Sequence, residues 1–381
     1  MPASSTPDRR RVRVFCYCSW AERLLPAAEF LARLPGLDIA PYVASPANQR
    51  LMQMARLDCD WHAETVRVLA ALAHAELEFL PAAVLGTKGL GDLVAAPRPP
   101  TEEWWLVFSG QDPKSLGGVI GRTLAFLVRK GVRTLFYAFD EASRNMRNFT
   151  EVAPHLDVLI HDESPLSEAG RSALNPRCLT IHRSWVANLL PFAVPFEEQP
   201  EEKILFLGSQ LGYTPHRRRQ VEFLQARFKD RMVAIHDHSF PVAERHRLNR
   251  FKVGFCPEGR MFTTPGMRFT HTDRPFWSGC LGMVPVSEDS RQGGRLDELH
   301  RAGLILRYPH GDLSALVRAC DEALSLSIAS RRRIFDHFNR SETVGTVVAE
   351  AIHAAGVPPT PAPESVPSGA SPEPAPAPKR P

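Results

Sequence analysis

Short, uninterrupted apolar runs alternate with longer stretches of helical period along most of this chain, which is the pattern of a parallel sheet wrapped by helices. In the first half the runs at 12–17, 105–109, 134–139 and 158–161 are rich in Val, Leu, Ile and Phe and bounded by turn or charged residues. Strands buried on both faces have this composition. A helix is predicted at 117–130, the stretches 24–34 and 61–80 read as helical, and 95–101 is a Pro-rich connection. A second series follows, with strands at 203–207, 232–235, 252–256, 282–286 and 304–307. Its helices are placed at 217–228, near 275–278, at 312–326 and at 329–355.

Between the two series, the proline-bearing apolar segment 189–196 gives way to the acidic run 197–202, a composition suited to a hinge. A chain of 381 residues, set against roughly 100–200 per domain, accommodates two such units. The expectation is therefore an α/β fold of two Rossmann-like lobes, 1–195 and 196–356, with a cleft between them. The remaining segment, 357–381, holds ten of the 34 prolines and is expected to be a disordered tail.

Charge excludes some partners. Lys+Arg 46 against Asp+Glu 42 leaves a formal +4, too little over this length to argue for nucleic acid or an anionic membrane surface. No window approaches the ~18 apolar residues of a membrane span, and residues 1–13 carry charge without the apolar centre of a signal peptide, so a cytoplasmic protein without an integral membrane segment is expected. The seven cysteines are odd in number and scattered, which fits reduced thiols better than a disulfide framework. Cys16 and Cys18 have no second Cys or His pair at zinc-site spacing. His236-Asp237-His238 has alternate histidines but no third ligand in view, so no metal is expected.

In an open parallel sheet, ligands bind beyond the carboxyl ends of the strands. There the predicted strand 203–207 runs into Gly208-Ser209, followed by Arg217-Arg218-Arg219 at a helix start. Glycine lets a ligand approach the backbone, and an arginine fork complements phosphate oxygens; Arg218 is the candidate. Between 255 and 289 lie Glu258, Arg260, Arg268, Asp273, Arg274, Ser278 and Gly279, followed by Glu288 and Asp289. Arg260, Arg268 and Arg274 suit a diphosphate, and Glu258 suits the hydroxyls of a ribose or sugar. An Arg–carboxylate network that only fixes loops is the competing reading of each residue taken singly. Gly293-Gly294 supplies backbone amides for an anion.

These residues carry a resemblance. Pro285-Val-Ser-Glu-Asp-Ser-Arg-Gln-Gly-Gly, then Ala302-Gly303-Leu304-Ile305-Leu306, then Pro309-His310-Gly311-Asp312-Leu313-Ser314-Ala315-Leu316, resemble the donor-binding half of two-lobed glycosyltransferases of the GT-B type. Leu190-Pro191-Phe192-Ala193-Val194 and Phe206-Leu207-Gly208-Ser209 with Arg218 are similar to the spore-maturation branch, and Cys256-Pro257-Glu258-Gly259 to exostosin-like members. The resemblance spans about 185–350. It implies transfer of a hexose-like sugar from a nucleotide-diphosphate-sugar to an acceptor of unstated class, saccharide, lipid or protein, without a metal or other cofactor.

Retaining members usually carry a glutamate five positions before the glycine of the turn, where this chain has Arg274 counted from Gly279 or Trp277 counted from Gly282. Three outcomes stay open: Glu258 and Asp273 take over the sugar contacts, transfer proceeds with inversion, or catalysis has been lost. An inverting enzyme needs a base from the first lobe, and Asp140 and Asp162, each just past a predicted strand, are the candidates; helix N-capping is their alternative role. A non-catalytic nucleotide-sugar-binding protein and a sugar-nucleotide epimerase are the rival functions.

Overall fold

The computed structural model describes residues 11–17, 79–85, 87–110, 120–138, 146–161, 168–183, 194–208, 215–236, 247–257, 274–289, 295–342 and 344–356. Six strands form the first sheet: β1 (Arg11–Tyr17), β2 (Phe79–Leu85), β3 (Glu102–Gly110), β4 (Arg133–Ala138), β5 (Val158–His161) and β6 (Leu179–His182). Five form the second: β7 (Glu201–Gly208), β8 (Met232–His236), β9 (Phe251–Cys256), β10 (Val284–Asp289) and β11 (Leu306–Pro309). The helices described in the first lobe are α1 (Thr87–Ala95), α2 (Ile120–Arg129), α3 (Met146–Val152) and α4 (Glu168–Ala173). Those following in sequence are α5 (Pro215–Phe228), α6 (Arg274–Cys280), α7 (Arg295–Arg301), α8 (Leu313–Ser325), α9 (Ile328–Ser341) and α10 (Val344–Ala354).

Both sheets are wholly parallel and share one plan. Their strand orders are β2-β1-β3-β4-β5-β6 and β8-β7-β9-β10-β11. In each, the chain starts centrally, places the second strand on one side and the third on the other. The fold is therefore α/β with two Rossmann-like lobes, and each sheet has a topological switch point, between β1 and β3 and between β7 and β9.

Alternation along the strands explains why both faces are apolar. On the first sheet Leu106, Phe108, Phe136 and Leu159 pack with Leu124, Leu127 and Phe149 of the helices, while Trp105, Val107, Leu135, Tyr137 and Val158 point the other way. That second face joins the core of the second lobe, which includes Ile204, Phe206, Val253, Phe255, Val284 and Val286. Helix α10 contributes Val347, Val348, Ala351 and Ile352 to this shared core and touches β5. Arg133 Nη2 donates to Ala355 O at 3.2 Å, tying the end of the described chain back onto the first sheet. Buried Glu342, between α9 and α10, pairs with Arg295 and lies 3.8 Å from Arg183 Nη2 of the first lobe.

Two expectations are corrected and one alternative is decided. Residues 79–80, read as the end of a helix, open β2. Its Pro81 is tolerated because β2 is an edge strand whose pairing with β1 shifts register between Val14 and Phe15, so the missing N–H sits at an irregularity. The single helical stretch 329–355 is two helices, α9 and α10, parted near Glu342. Ser278-Gly279-Cys280 ends a buried helix, and the turn falls at Gly282, whose φ of 79° only glycine adopts readily. Cys256, Cys280 and Cys320 are buried free thiols. The tail beyond 356 lies outside the described residues, as do 24–34, 61–78, Gly117-Gly118 and Asp237-His238. No helix among the described residues is long and apolar enough to cross a membrane.

Candidate functional site

The carboxyl ends of β7, β9, β10 and β11 share one edge of the second sheet, and the polar side chains gathered there define the candidate site. At the switch point β7 ends in Gly208, which is buried and pressed against its own strand: a Cβ there would lie 2.6 Å from the Phe206 ring. Arg274, the first residue of α6, donates from Nε to Leu207 O at 3.2 Å, with its guanidinium 5.8 Å from the centre of that same ring. The chain thus places one cation beside the glycine at the strand end.

One strand further along, Glu288 is fully buried near the end of β10. Its Oε1 lies 2.7 Å from His216 Nε2 and 2.8 Å from His310 Nδ1. The same oxygen accepts from Gln220 Nε2 at 3.0 Å and from Gly311 N at 3.1 Å. Each partner is positioned by its element. His216 and Gln220 lie one turn apart on α5, which Pro215 starts at a position that needs no N–H donor. His310-Gly311 forms the turn after β11; Gly311 has φ 76°, and Asp312 caps α8 by accepting from Ala315 N at 2.8 Å. The Gly-Asp motif is thereby explained as a left-handed turn and an N-cap.

Burial on its own would raise the Glu288 pKa, but the hydrogen bond from His216, the charges of His216 and His310 and the Gly311 amide outweigh it, holding the carboxyl below the usual range. The site therefore presents a fixed anion flanked by two imidazoles whose side chains are 21% and 30% exposed. Neighbouring Asp289 is already engaged by Arg307 at 2.7 Å.

The expected site residues fare differently. Gly208 and Arg274 come together at the switch point. Arg218 is exposed on α5, and Arg217 is the buried member of the triplet, because the inward stripe of this helix runs through Arg217, Gln220, Val221, Leu224 and Phe228. Ser278 and Gly279 are buried in α6 and make packing contacts. Ser278 Oγ lies 3.5 Å from Cys256 Sγ, and a Cβ on Gly254 would meet it at 2.4 Å. A Cβ on Gly279 would lie 2.3 Å from the Phe338 ring. Asp140, Asp162, Ser209, Glu258, Arg260, Arg268, Asp273, Gly293 and Gly294 lie outside the described residues.

Glu288 and His310 lie within the motif runs of the sequence, His216 lies in none of them, and nothing in one dimension joins the three. His216 and Glu288 are 72 positions apart, so no spacing rule links them. The signal available was positional: all three sit where a predicted strand or helix begins or ends at the ligand-bearing edge.

No family model matches the sequence, and no curated protein matches it. Among solved structures, the chain is similar to an α-glucosyltransferase in complex with UDP-glucose and DNA containing an abasic site, at 10% identity over 91% of this chain and 99% of that one, TM-score 0.48. It is also similar to an O-GlcNAc transferase mutant of Thermobaculum terrenum, at 12% identity over 93% and 69% of the two chains, TM-score 0.45. A third is a spinosyn rhamnosyltransferase complexed with spinosyn aglycone, at 11% identity over 90% and 100%, TM-score 0.37. At such identities the likeness is one of general architecture, and the assignment of two Rossmann-like lobes rests on the strand orders given above.

Proposed function

We propose that this protein transfers a sugar from a nucleotide-diphosphate-sugar to an acceptor hydroxyl, with the donor lying along the carboxyl edge of the second sheet. The observation that carries the reading is Arg274 bonded to Leu207 O next to Gly208 at the β7/β9 switch point, on the same sheet edge as the buried Glu288 of β10. Ligands of open parallel sheets occupy such a crevice, and a guanidinium there suits a diphosphate.

In the proposed reaction the bond between the anomeric carbon and the diphosphate oxygen breaks as the acceptor oxygen bonds to that carbon. The leaving diphosphate gathers negative charge, which Arg274 offsets at the strand end. Glu288 offers its carboxylate to donor hydroxyls, and His216 and His310 are the polar groups flanking it at the surface. The acceptor proton goes to a carboxylate of the first lobe. Asp140 and Asp162, which follow β4 and β5 in sequence, are the proposed bases.

Release of nucleoside diphosphate from UDP-, GDP-, TDP- and ADP-linked sugars, with a panel of saccharide, lipid and peptide acceptors, tests this directly. One donor is expected to be consumed with acceptor-dependent product. Arg274→Ala is expected to lower kcat/KM on the order of 10²-fold, the loss typical when one preorganised charge-stabilising group is removed. A wild-type protein that consumes no donor with any acceptor, or an Arg274→Ala variant as active as wild type, contradicts the proposal.

A further inference from the structure

We infer that His216, Glu288 and His310 form a binding site for one divalent transition-metal ion of the zinc type. The three ligand atoms, one from each residue, lie within 4.8 Å of one another. Two imidazole nitrogens and one carboxylate oxygen form a donor set that zinc uses when a further position is left open, whereas calcium and magnesium prefer oxygen alone. The inference departs from the metal-free expectation drawn from sequence; it shares Glu288 with the donor site proposed above, and its test reads metal binding alone, so it stands or falls separately from donor turnover.

Three observations favour an ion over hydrogen bonding alone. First, Glu288 Oε1 is approached at 2.7, 2.8, 3.0 and 3.1 Å by His216, His310, Gln220 and the Gly311 amide, more groups than one carboxylate oxygen has lone-pair directions to serve. Second, the two imidazole rings lie with centroids 4.3 Å apart and planes tilted by 30°. Both rings turn one nitrogen toward the same carboxylate oxygen from adjacent elements, the arrangement of two imidazoles that share an ion with a carboxylate. Third, Gln220 is 1% exposed and its Oε1 has no hydrogen-bond partner among the described residues, although its Nε2 holds Glu288. A carbonyl oxygen at this place is suited to a metal-bound water or to the ion itself. The partial exposure of both histidines leaves a face open for that water or for an anionic oxygen.

The full-length protein, stripped with a chelator and titrated with Co²⁺ as a spectroscopic stand-in for Zn²⁺, provides the test. The expected result is one equivalent bound with the intense visible bands of a four- or five-coordinate ion, displaced by one equivalent of Zn²⁺. His216→Ala and His310→Ala are each expected to weaken binding by more than the roughly 10–100-fold that loss of an outer-shell partner costs. His353→Ala, an exposed histidine on α10, is expected to bind as wild type does. X-ray absorption of the zinc-loaded wild-type protein needs no variant and is expected to show two imidazole ligands with oxygen donors at about 2.0–2.2 Å. Cobalt that keeps the pale spectrum of the hydrated ion overturns the inference. So do bands that persist in both His216→Ala and His310→Ala, or a zinc shell without imidazole.

Discussion

Glu288→Ala is expected to remove donor turnover and to lower the unfolding free energy by about 2–3 kcal/mol. The carboxylate is fully buried and serves as the acceptor for the Gln220 amide and the Gly311 N–H, with His216 2.7 Å away. Without it, the buried Gln220 amide and the partly buried Gly311 N–H lose their acceptor. Breaking a fully buried ion pair costs roughly 3–5 kcal/mol; the lower figure applies here because solvent reaches both histidines. At roughly 2–4 °C per kcal/mol for a unit of this size, the melting midpoint falls by about 5–10 °C. Glu288→Gln keeps the shape and one carbonyl acceptor, so about half of that loss is expected, with turnover still abolished. Calorimetry and the donor-release assay check both. A midpoint unchanged in Glu288→Ala would show that the cluster holds nothing together.

Gly279→Val is expected to be the more damaging packing change, at about 3 kcal/mol, the upper end of the usual range for overfilling a core. Helices α6 and α9 approach so closely that even a Cβ at 279 would stand 2.3 Å from Cδ2 and 2.4 Å from Cγ of Phe338, which is itself fully buried. The ring cannot yield without displacing Phe276, its neighbour at 6.0 Å between centroids. Shrinking the obstacle is therefore expected to help: Gly279→Val with Phe338→Leu should recover part of the lost stability, whereas the two changes at unrelated sites would add. Denaturant titration of the single and double variants reads this out. A Gly279→Val protein of wild-type stability that has lost only nucleotide affinity would instead restore the ligand role first expected of this glycine.

The strands buried on both faces were legible as apolar runs, and β1, β3, β4, β5 and the five strands of the second sheet were read within a few residues. The two that escaped are the edges of the first sheet. Strand β2 carries Pro81, which ordinarily argues against a strand, and only its place at an edge irregularity makes it tolerable. Strand β6, Leu-Thr-Ile-His, is short and only partly covered, so it lacks the continuous hydrophobicity that marks its neighbours. For the candidate site, the proximity of Gly208 and Arg274 at the end of β7 was foreseeable because strand-end position is readable in one dimension. Which arginine of the triplet is buried is a matter of helical phase: the inward stripe on α5 is fixed by Val221, Leu224 and Phe228, and counting back from them reaches Arg217, leaving Arg218 exposed. The His216–Glu288–His310 grouping was beyond reach because three separate elements must pack before those atoms meet.

Hydrogen exchange, measured with and without a saturating nucleoside diphosphate or its sugar conjugate, addresses the location of the donor most directly. Slowed exchange is expected at the backbone of Leu207–Gly208, at Ser287–Asp289 and around Gly311, the ends of β7 and β10 and the turn after β11, with the ends of β1 and β3 unchanged. Protection confined to the first sheet, or no protection from any nucleotide of the panel, would contradict a donor site on the second.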